Sequence, residues 1–418
     1  MADMDARRVI ADLKELAART GTSDGAQRLA WGPVWRDARE WFRQKVSGLG
    51  LSIRTDSAGN NWVTLPGASP RTVIVGSHLD SVPNGGWLDG CLGVTAALEA
   101  LRMRVGTTPP VTLALVDWAD EEGARFGRSL LGSAAAAGAL RIDDVRDLKD
   151  RQGVRLADAL AENGVAVDRM LDARRELKAI DARAYLELHI EQGPVLESMD
   201  RATGVVLGTF GVERHMLRFT GQAAHSGSTP IPMRRDAFLA AAQTALACRE
   251  IAIRHSKPGP GHNVVCTVGV VNVEPKIVTA VPGVCEMSLD QRALDAGVLA
   301  TMLSDAREAA DHAARANHVQ VDWRELWRID PRPFDATLIG LCEEAVREET
   351  GDAPRLPSGP LHDAAEMVPH MPVVMMFAYS SNGLSHCKEE DTPEPHLEKS
   401  IRAYLRLVEK TLAHVAAA

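Results

Sequence analysis

Two apolar runs, VIVG at residues 73–76 and VTLALV at 111–116, contain no polar alternation. A strand with one wet face alternates apolar and polar residues, whereas a strand covered on both faces does not. Unbroken runs of this length therefore require strands sandwiched between helices. Helical periodicity surrounds them, through residues 5–19, 33–48 and 94–105. LSIRTDSAGNNWVTLPG, residues 51–67, reads as two extended segments around a turn at Gly59-Asn60. YLELHIEQG, from Tyr185, is a further short strand. Strands alternating with helices make an α/β layered fold.

The texture changes near residue 209. GVERHMLRFTGQAAHSG alternates, and the spacing predicts long helices over 234–255 and 296–316. Strands are expected at VVCTVGVVNVEP (264–275), CEMSLDQRAL (285–294) and HVQVDWREL (318–326), which together describe an α+β domain with a mostly antiparallel sheet. The α/β pattern then resumes with a helix at 336–349, a strand at 371–380 and a helix at 397–415. A chain of 418 residues also exceeds what one core usually organises. The expected division is residues 1–208 and 326–418 as one α/β domain with a mixed central sheet and flanking helices, and 209–325 as an inserted α+β domain.

A net charge of −9 argues against nucleic-acid binding, which needs a basic face. No stretch approaches the ~20 apolar residues that span a bilayer, and the N-terminus lacks the apolar core of a signal peptide. Cys91, Cys248, Cys266, Cys285, Cys342 and Cys387 lie far apart with no CxxC, which suggests neither a disulfide framework nor a thiolate metal site. These features point to the cytoplasm and a reducing compartment.

The covered strands end in groups that are expensive to bury. VIVG runs into His78 and Asp80, with Asp89 beyond a Gly-rich turn; VTLALV into Glu121 and Glu122; YLELHI into His189, Glu191 and Gln192; and MMFAYS into a loop carrying His386. Each alone is ordinary surface polarity. Four on successive strand ends converge, because ligands of open α/β sheets bind at the carboxyl ends of strands. Histidine with carboxylate suits zinc, manganese, cobalt or nickel.

GSHLDSVPNGGWLDG, DEEGARFGRSLLGS, ELHIEQGPVLE, AAHSGSTPIPMRRDA, SLDQR, PSGPLHDA and GLSHCKEEDT occur in this order. Over nearly the whole chain they resemble the N-carbamoyl-L-amino-acid hydrolase and allantoate amidohydrolase group of the M20 family. The resemblance implies two divalent metal ions per chain. His78, Asp89 and His189 would hold one, and Asp89, Glu122 and His386 the other, with Asp89 bridging. It implies Glu121 as general base, Asp80 as the acid orienting a liganding imidazole, and Glu390 as a supporting acid. The inserted domain becomes a lid through which two copies form a homodimer. There His225 would stabilise the oxyanion, and Arg292 would bind the substrate carboxylate. Gln192, Gly359 and Arg214 would be further substrate contacts. Met233, Arg234 and Arg235 would pack or cap the lid helix.

The sequence departs from its relatives at the pocket. Lys276 and Thr279 stand where relatives commonly have asparagine, so the substrate contact at Thr279 is altered. Pro360 and Leu361 replace smaller residues, and Trp87 takes a smaller ring's place. The implied activity is cleavage of a linear C–N amide or ureido bond of a small molecule, foremost an N-carbamoyl-L-amino acid, with no nucleic-acid or membrane partner. Rival substrates are another acyl-amino acid, an allantoate-like ureide, a dipeptide or an aromatic amine. A non-catalytic binding protein is the rival from another class.

Overall fold

The unalternating runs become strands whose two faces feed two different cores. A computed structural model describes residues 4–257 and 264–418. In the Thr72–His78 strand every residue is buried; Val73 and Val75 pack into one apolar cluster and Ile74 into another. The Thr112–Trp118 strand divides likewise, Leu113 and Leu115 to one side, Ala114, Val116 and Trp118 to the other. Helices Ala6–Thr20, Pro33–Ser47, Cys91–Arg102, Ala336–Thr350 and Glu394–Ala417 supply much of the first cluster. Short helices such as Leu131–Ala137, Leu156–Glu162 and Asp172–Lys178 supply the second. Among the described residues no helix is long and apolar enough to cross a membrane.

The sheet is mixed. Strands Val373–Ala378, Ala182–Ile190, Thr72–His78 and Thr112–Trp118 lie side by side and parallel. Asn61–Leu65 and Ile53–Thr55 continue it antiparallel past Thr112–Trp118, and Thr203–Thr209 flanks Val373–Ala378 antiparallel on the other side. Four parallel neighbours place four carboxyl ends on one edge.

The chain divides into two compact units. The larger comprises residues 1–207, 334–356 and 361–418; the smaller comprises 208–333 and 357–360. The smaller unit reaches Pro333 rather than residue 325, because its edge strand Gln320–Ile329 stays paired with Gly211–Thr220 through a bulge between Glu325 and Trp327. In that sheet Gly211–Thr220 lies between Val284–Ala293 and Gln320–Ile329. Helices Ala237–His255 and Ala296–Ala316 cover one face, each begun by an aspartate, Asp236 or Asp295, whose carboxylate accepts first-turn N–H groups. The segment expected as one strand over 264–275 is two, Val265–Thr267 and Val271–Glu274. Between them the N–H groups of Gly269 and Val270 donate to the Ser288 hydroxyl, which replaces the ladder.

Candidate active site

His78 closes its strand, His189 is the penultimate residue of Ala182–Ile190, Glu121 and Glu122 follow Thr112–Trp118, and His386 lies in the loop after Val373–Ala378. The loop from His78 to the Cys91–Arg102 helix brings in Asp89. It turns at Gly90, whose φ is +66° and whose hypothetical Cβ would lie 2.4 Å from the His78 ring. Only glycine fits there. The Gly-rich turn therefore exists to press a carboxylate against an imidazole.

Asp89 faces two ways. Its Oδ1 lies 3.1 Å from His189 Nε2 and 3.8 Å from His78 Nε2, and its Oδ2 lies 3.4 Å from His386 Nε2. Glu122 Oε2 is 3.3 Å from the same His386 nitrogen, and Glu121 Oε2 is 3.7 Å from His78 Nε2. Two trios result, His78/Asp89/His189 and Asp89/Glu122/His386, sharing Asp89. Donors about 2.0–2.2 Å from a tetrahedral cation stand about 3.3–3.6 Å apart, so this spacing fits a metal between them. His78 Nε2 is buried with no hydrogen-bond partner, which a cation would supply. Burial and repulsion from Asp363, Glu122, Asp80 and Asp89 push Glu121 well above the usual carboxylate range, and burial with Asp89 and Asp80 does the same to Glu122. So many buried acids need positive charge among them.

Main-chain donors hold this cluster. The Asp80 carboxylate accepts the N–H groups of Glu121 (3.2 Å) and Glu122 (3.1 Å), fixing the loop that carries both acids. The His78 Nδ1 contact is to the Asp80 carbonyl at 3.2 Å, while the carboxylate stands 3.6 Å away. Asp80 thus orients the two glutamates at least as directly as the imidazole. Glu390 accepts the N–H of Leu88 and of Asp89 through Oε1 and the Ser385 hydroxyl through Oε2. Burial, then Asp89, pushes it up to about 7. The Gln192 amide donates to Asp89 Oδ2 (2.9 Å) and the Ser385 hydroxyl (3.1 Å). Asp120, Gln192 and His386 all adopt positive φ, between 56° and 59°. Non-glycine residues there are strained and concentrate at functional sites.

The smaller unit holds the remaining predicted residues. His225 pairs with Ala280 across a two-residue bridge, and the Ser226 N–H donates to the Thr279 carbonyl at 2.8 Å, so His225 and Thr279 are neighbours. His225 Nδ1 accepts the N–H groups of Gly227 and Ser228, which leaves Nε2 to carry the ring proton. Arg214, Arg292 and Gly359 line one cavity of about 500 Å³, walled also by Phe210, Val265 and Leu326. Asp290 pairs with both arginines, at 2.5 Å from Arg214 Nε and 2.8 Å from Arg292 Nε, and Arg292 Nη1 donates to the Gly359 carbonyl. Arg234 donates to the Thr229 and Ser226 carbonyls and so braces the His225 loop. Met233 is 73% exposed. A third His–acid group here, Glu213/His215/Glu325, is already neutralised in part by Arg328.

Four residues of the larger unit escaped the sequence reading. Ser385 links Asp89, Gln192 and Glu390. Glu187, His362 and Asp363 are fully buried beside the cluster. PSGPLHDA held a signal for the last two, a histidine–acid pair after a Gly-Pro turn, but no spacing rule joins it to His189. Glu187 was hidden by position: two residues before His189 on a covered strand, it points to the same face.

The sequence model of peptidase family M20/M25/M40 matches residues 74–410. The chain is 32% identical over 407 residues to an allantoate amidohydrolase of Bacillus subtilis, covering 96% of this chain and 97% of that one. It is 34% identical to an N-carbamoyl-L-amino acid amidohydrolase of Geobacillus stearothermophilus, covering 88% and 89%. A crystal structure of a hydantoinase/carbamoylase family amidase from Burkholderia multivorans superposes with a TM-score of 0.87 at 29% identity, covering 97% and 98%.

Proposed function

Because this chain belongs to peptidase family M20/M25/M40 and is an amide-hydrolysing enzyme of the carbamoylase/allantoate type, we propose that it removes the carbamoyl group of N-carbamoyl-L-amino acids at a two-metal centre. The observation that carries the reading is Asp89, whose two oxygens face separate histidine sets. His78 and His189 would hold one divalent ion, Glu122 and His386 the other, with Asp89 between. Such a pair polarises a carbonyl and lowers the pKa of bound water. Glu121, raised by burial and not committed to either trio, takes the water's proton and delivers it to the leaving nitrogen. The C–N bond breaks to give the free amino acid and carbamic acid, which decomposes to carbon dioxide and ammonia. Gln192 holds Asp89 and the reacting group in place.

In the smaller unit, Arg292 binds the substrate carboxylate with Arg214 at its side, and Gly359 and Thr279 complete the contacts. His225, with its proton on Nε2, serves the developing oxyanion. The apolar wall of Phe210, Val265 and Leu326 beside Arg292 favours an amino acid with an apolar side chain. Two copies pair through this unit, where helix Ala237–His255 exposes Phe238, Leu239, Leu246 and Ile253. Light scattering on wild type and Leu246→Lys checks the pairing. The function is tested by ammonia release from N-carbamoyl-L-phenylalanine, N-carbamoyl-L-alanine and allantoate after reconstitution with manganese, cobalt, nickel or zinc. Absence of turnover on all three, with metal bound, refutes it.

A further inference from the structure

Trp31 is 1% exposed and adopts φ +62°, in the left-handed region that bulky residues avoid. Its carbonyl accepts from Arg125 Nη1 at 3.1 Å and from the Asn163 amide at 3.2 Å, which pins the backbone there. The indole lies 4.8 Å from that of Trp35, and Gly59 leaves it room, since a Cβ on Gly59 would come within 2.8 Å of the ring. Its Nε1–H donates to Asp120 Oδ2 at 2.7 Å.

Asp120 is fully buried, has φ +59° and directly precedes the two glutamates of the centre. The Leu130 N–H donates to the Glu121 carbonyl at 2.7 Å and the Leu131 N–H to the Asp120 carbonyl at 3.1 Å, while Asp80 takes the Glu121 and Glu122 amides. Those bonds hold peptide groups. The bond from Trp31 holds the Asp120 side chain, and with it the turn by which the chain leaves the Thr112–Trp118 strand. A buried tryptophan and a buried aspartate each need a polar partner, and mutual satisfaction alone would explain the bond. It does not explain why both ends stand at positive φ. Such backbone persists only where the surroundings over-determine it, and it concentrates at functional sites.

We infer that Trp31 is a positioning residue for Glu121: its indole N–H, through the Asp120 side chain, sets the direction in which the base leaves the strand. The inference rests on the proposed function, which makes Glu121 the base. A general base must lie within hydrogen-bond reach of the proton it takes, and a displacement of about 1 Å can cost about a hundredfold in rate. Glu121 is one residue beyond the held side chain, so any turn of the Asp120 backbone carries it along. Asp80 and Trp31 thereby act on the same loop from two sides, one through its amides and the other through the side chain before them.

The test measures kcat, KM and metal content for ammonia release from N-carbamoyl-L-phenylalanine in wild type, Trp31→Phe and Trp35→Phe. Trp31→Phe keeps a ring and removes the donor, so kcat should fall about tenfold to a hundredfold with KM and metal content held. Trp35 Nε1 has no partner, so Trp35→Phe, which trims the same cluster, should leave kcat unchanged. In metal-free protein, amide hydrogen exchange over residues 119–124 should be faster in Trp31→Phe than in Trp35→Phe. In a Glu121→Gln background Trp31→Phe should lower kcat no further, because the group it positions is gone. Should Trp31→Phe not fold, Asp120→Ala removes the acceptor instead and should show the same loss. Asp120→Asn, which keeps an acceptor and tolerates positive φ, should recover most of it. Equal losses in Trp31→Phe and Trp35→Phe overturn the inference in favour of packing, as does an undiminished loss in the Glu121→Gln background. Loss of metal overturns it in favour of a role in holding Glu122. Full turnover in Glu121→Gln itself removes the base from the proposed function and this inference with it, whereas a defective Glu121→Gln beside an unaffected Trp31→Phe defeats this inference alone.

Discussion

The acid–imidazole centre of the larger unit and the arginine cavity of the smaller one are built on opposite principles. In the first, Asp80, Asp89, Glu121 and Glu390 are nearly fully buried, and main-chain N–H groups fix Asp89, Glu121 and Glu122 through the carboxylates of Asp80 and Glu390. In the second, the side chains of Arg214, Asp290 and Arg292 are 39%, 24% and 28% exposed and hold one another on a sheet face. Solvent competes for such pairs and weakens them. A buried centre tolerates almost no change of residue type, because each loss strands an unpaired charge. A half-exposed one can drift. Of the departures that the resemblance implies, Lys276, Thr279 and Pro360 fall in the smaller unit and Trp87 and Leu361 in the larger, while none falls on a proposed ligand or base.

The largest expected effect lies in the buried centre. Chelation should abolish activity, and manganese, cobalt, nickel or zinc should restore it; full activity in metal-free protein breaks the comparison at its root. His386→Ala, which touches one trio, should lose about one metal per chain by elemental analysis.

Next, Glu121→Gln should lower turnover by about 10²–10⁴-fold with metal content held. If that variant loses metal while Glu122→Gln keeps it, base and ligand exchange places.

Asp290→Asn tests the half-exposed site. Burial opposes ionisation of Asp290, but hydrogen bonds from Arg292 and Arg214 outweigh it and hold its pKa below the ordinary value. A carboxylate depressed in the folded state stabilises above the unfolded pKa, about 3.9, and that contribution disappears as pH falls through the lower folded value. The Tm difference between wild type and Asp290→Asn should therefore be constant near neutrality and close on acidification below about pH 4. KM should rise more than kcat falls, because Arg292 loses its orientation before it loses its charge. A gap that persists in acid shows packing, not the ion pair, to be the cause.

The smallest effect belongs to Thr279→Asn. A regained hydrogen bond is worth about 1 kcal/mol, so the ratio of kcat/KM between N-carbamoyl-L-alanine and N-carbamoyl-L-phenylalanine should shift by no more than about tenfold. No shift at all marks Thr279 as neutral.

Much of the architecture is local and was readable as such. Val73–Val75 and Leu113–Val116 announce covered strands because burial on two faces leaves no room for polar alternation. The helix expected from residue 234 starts instead at Ala237, where the Asp236 carboxylate accepts first-turn N–H groups. His78, Glu122, His189 and His386 were legible as a set because strand ends in a parallel sheet share an edge. The two-strand break at Gly269 was not, since it depends on Ser288 of a neighbouring strand.

What the sequence by itself determined is the inventory: which strands are covered and which acids and histidines stand at their ends. Tertiary structure alone decided how that inventory is spent. The Asp80 carboxylate could turn to His78 beside it or to amides forty residues on, and it took the amides. Glu390 could have been solvated, and instead it fixes the Asp89 backbone. His362 could have been a satisfied core histidine, and packing against His189 left both its nitrogens bare. Hydrogen bonds and desolvation depend on distances between residues far apart in the chain, and residue order encodes those distances only through the completed fold.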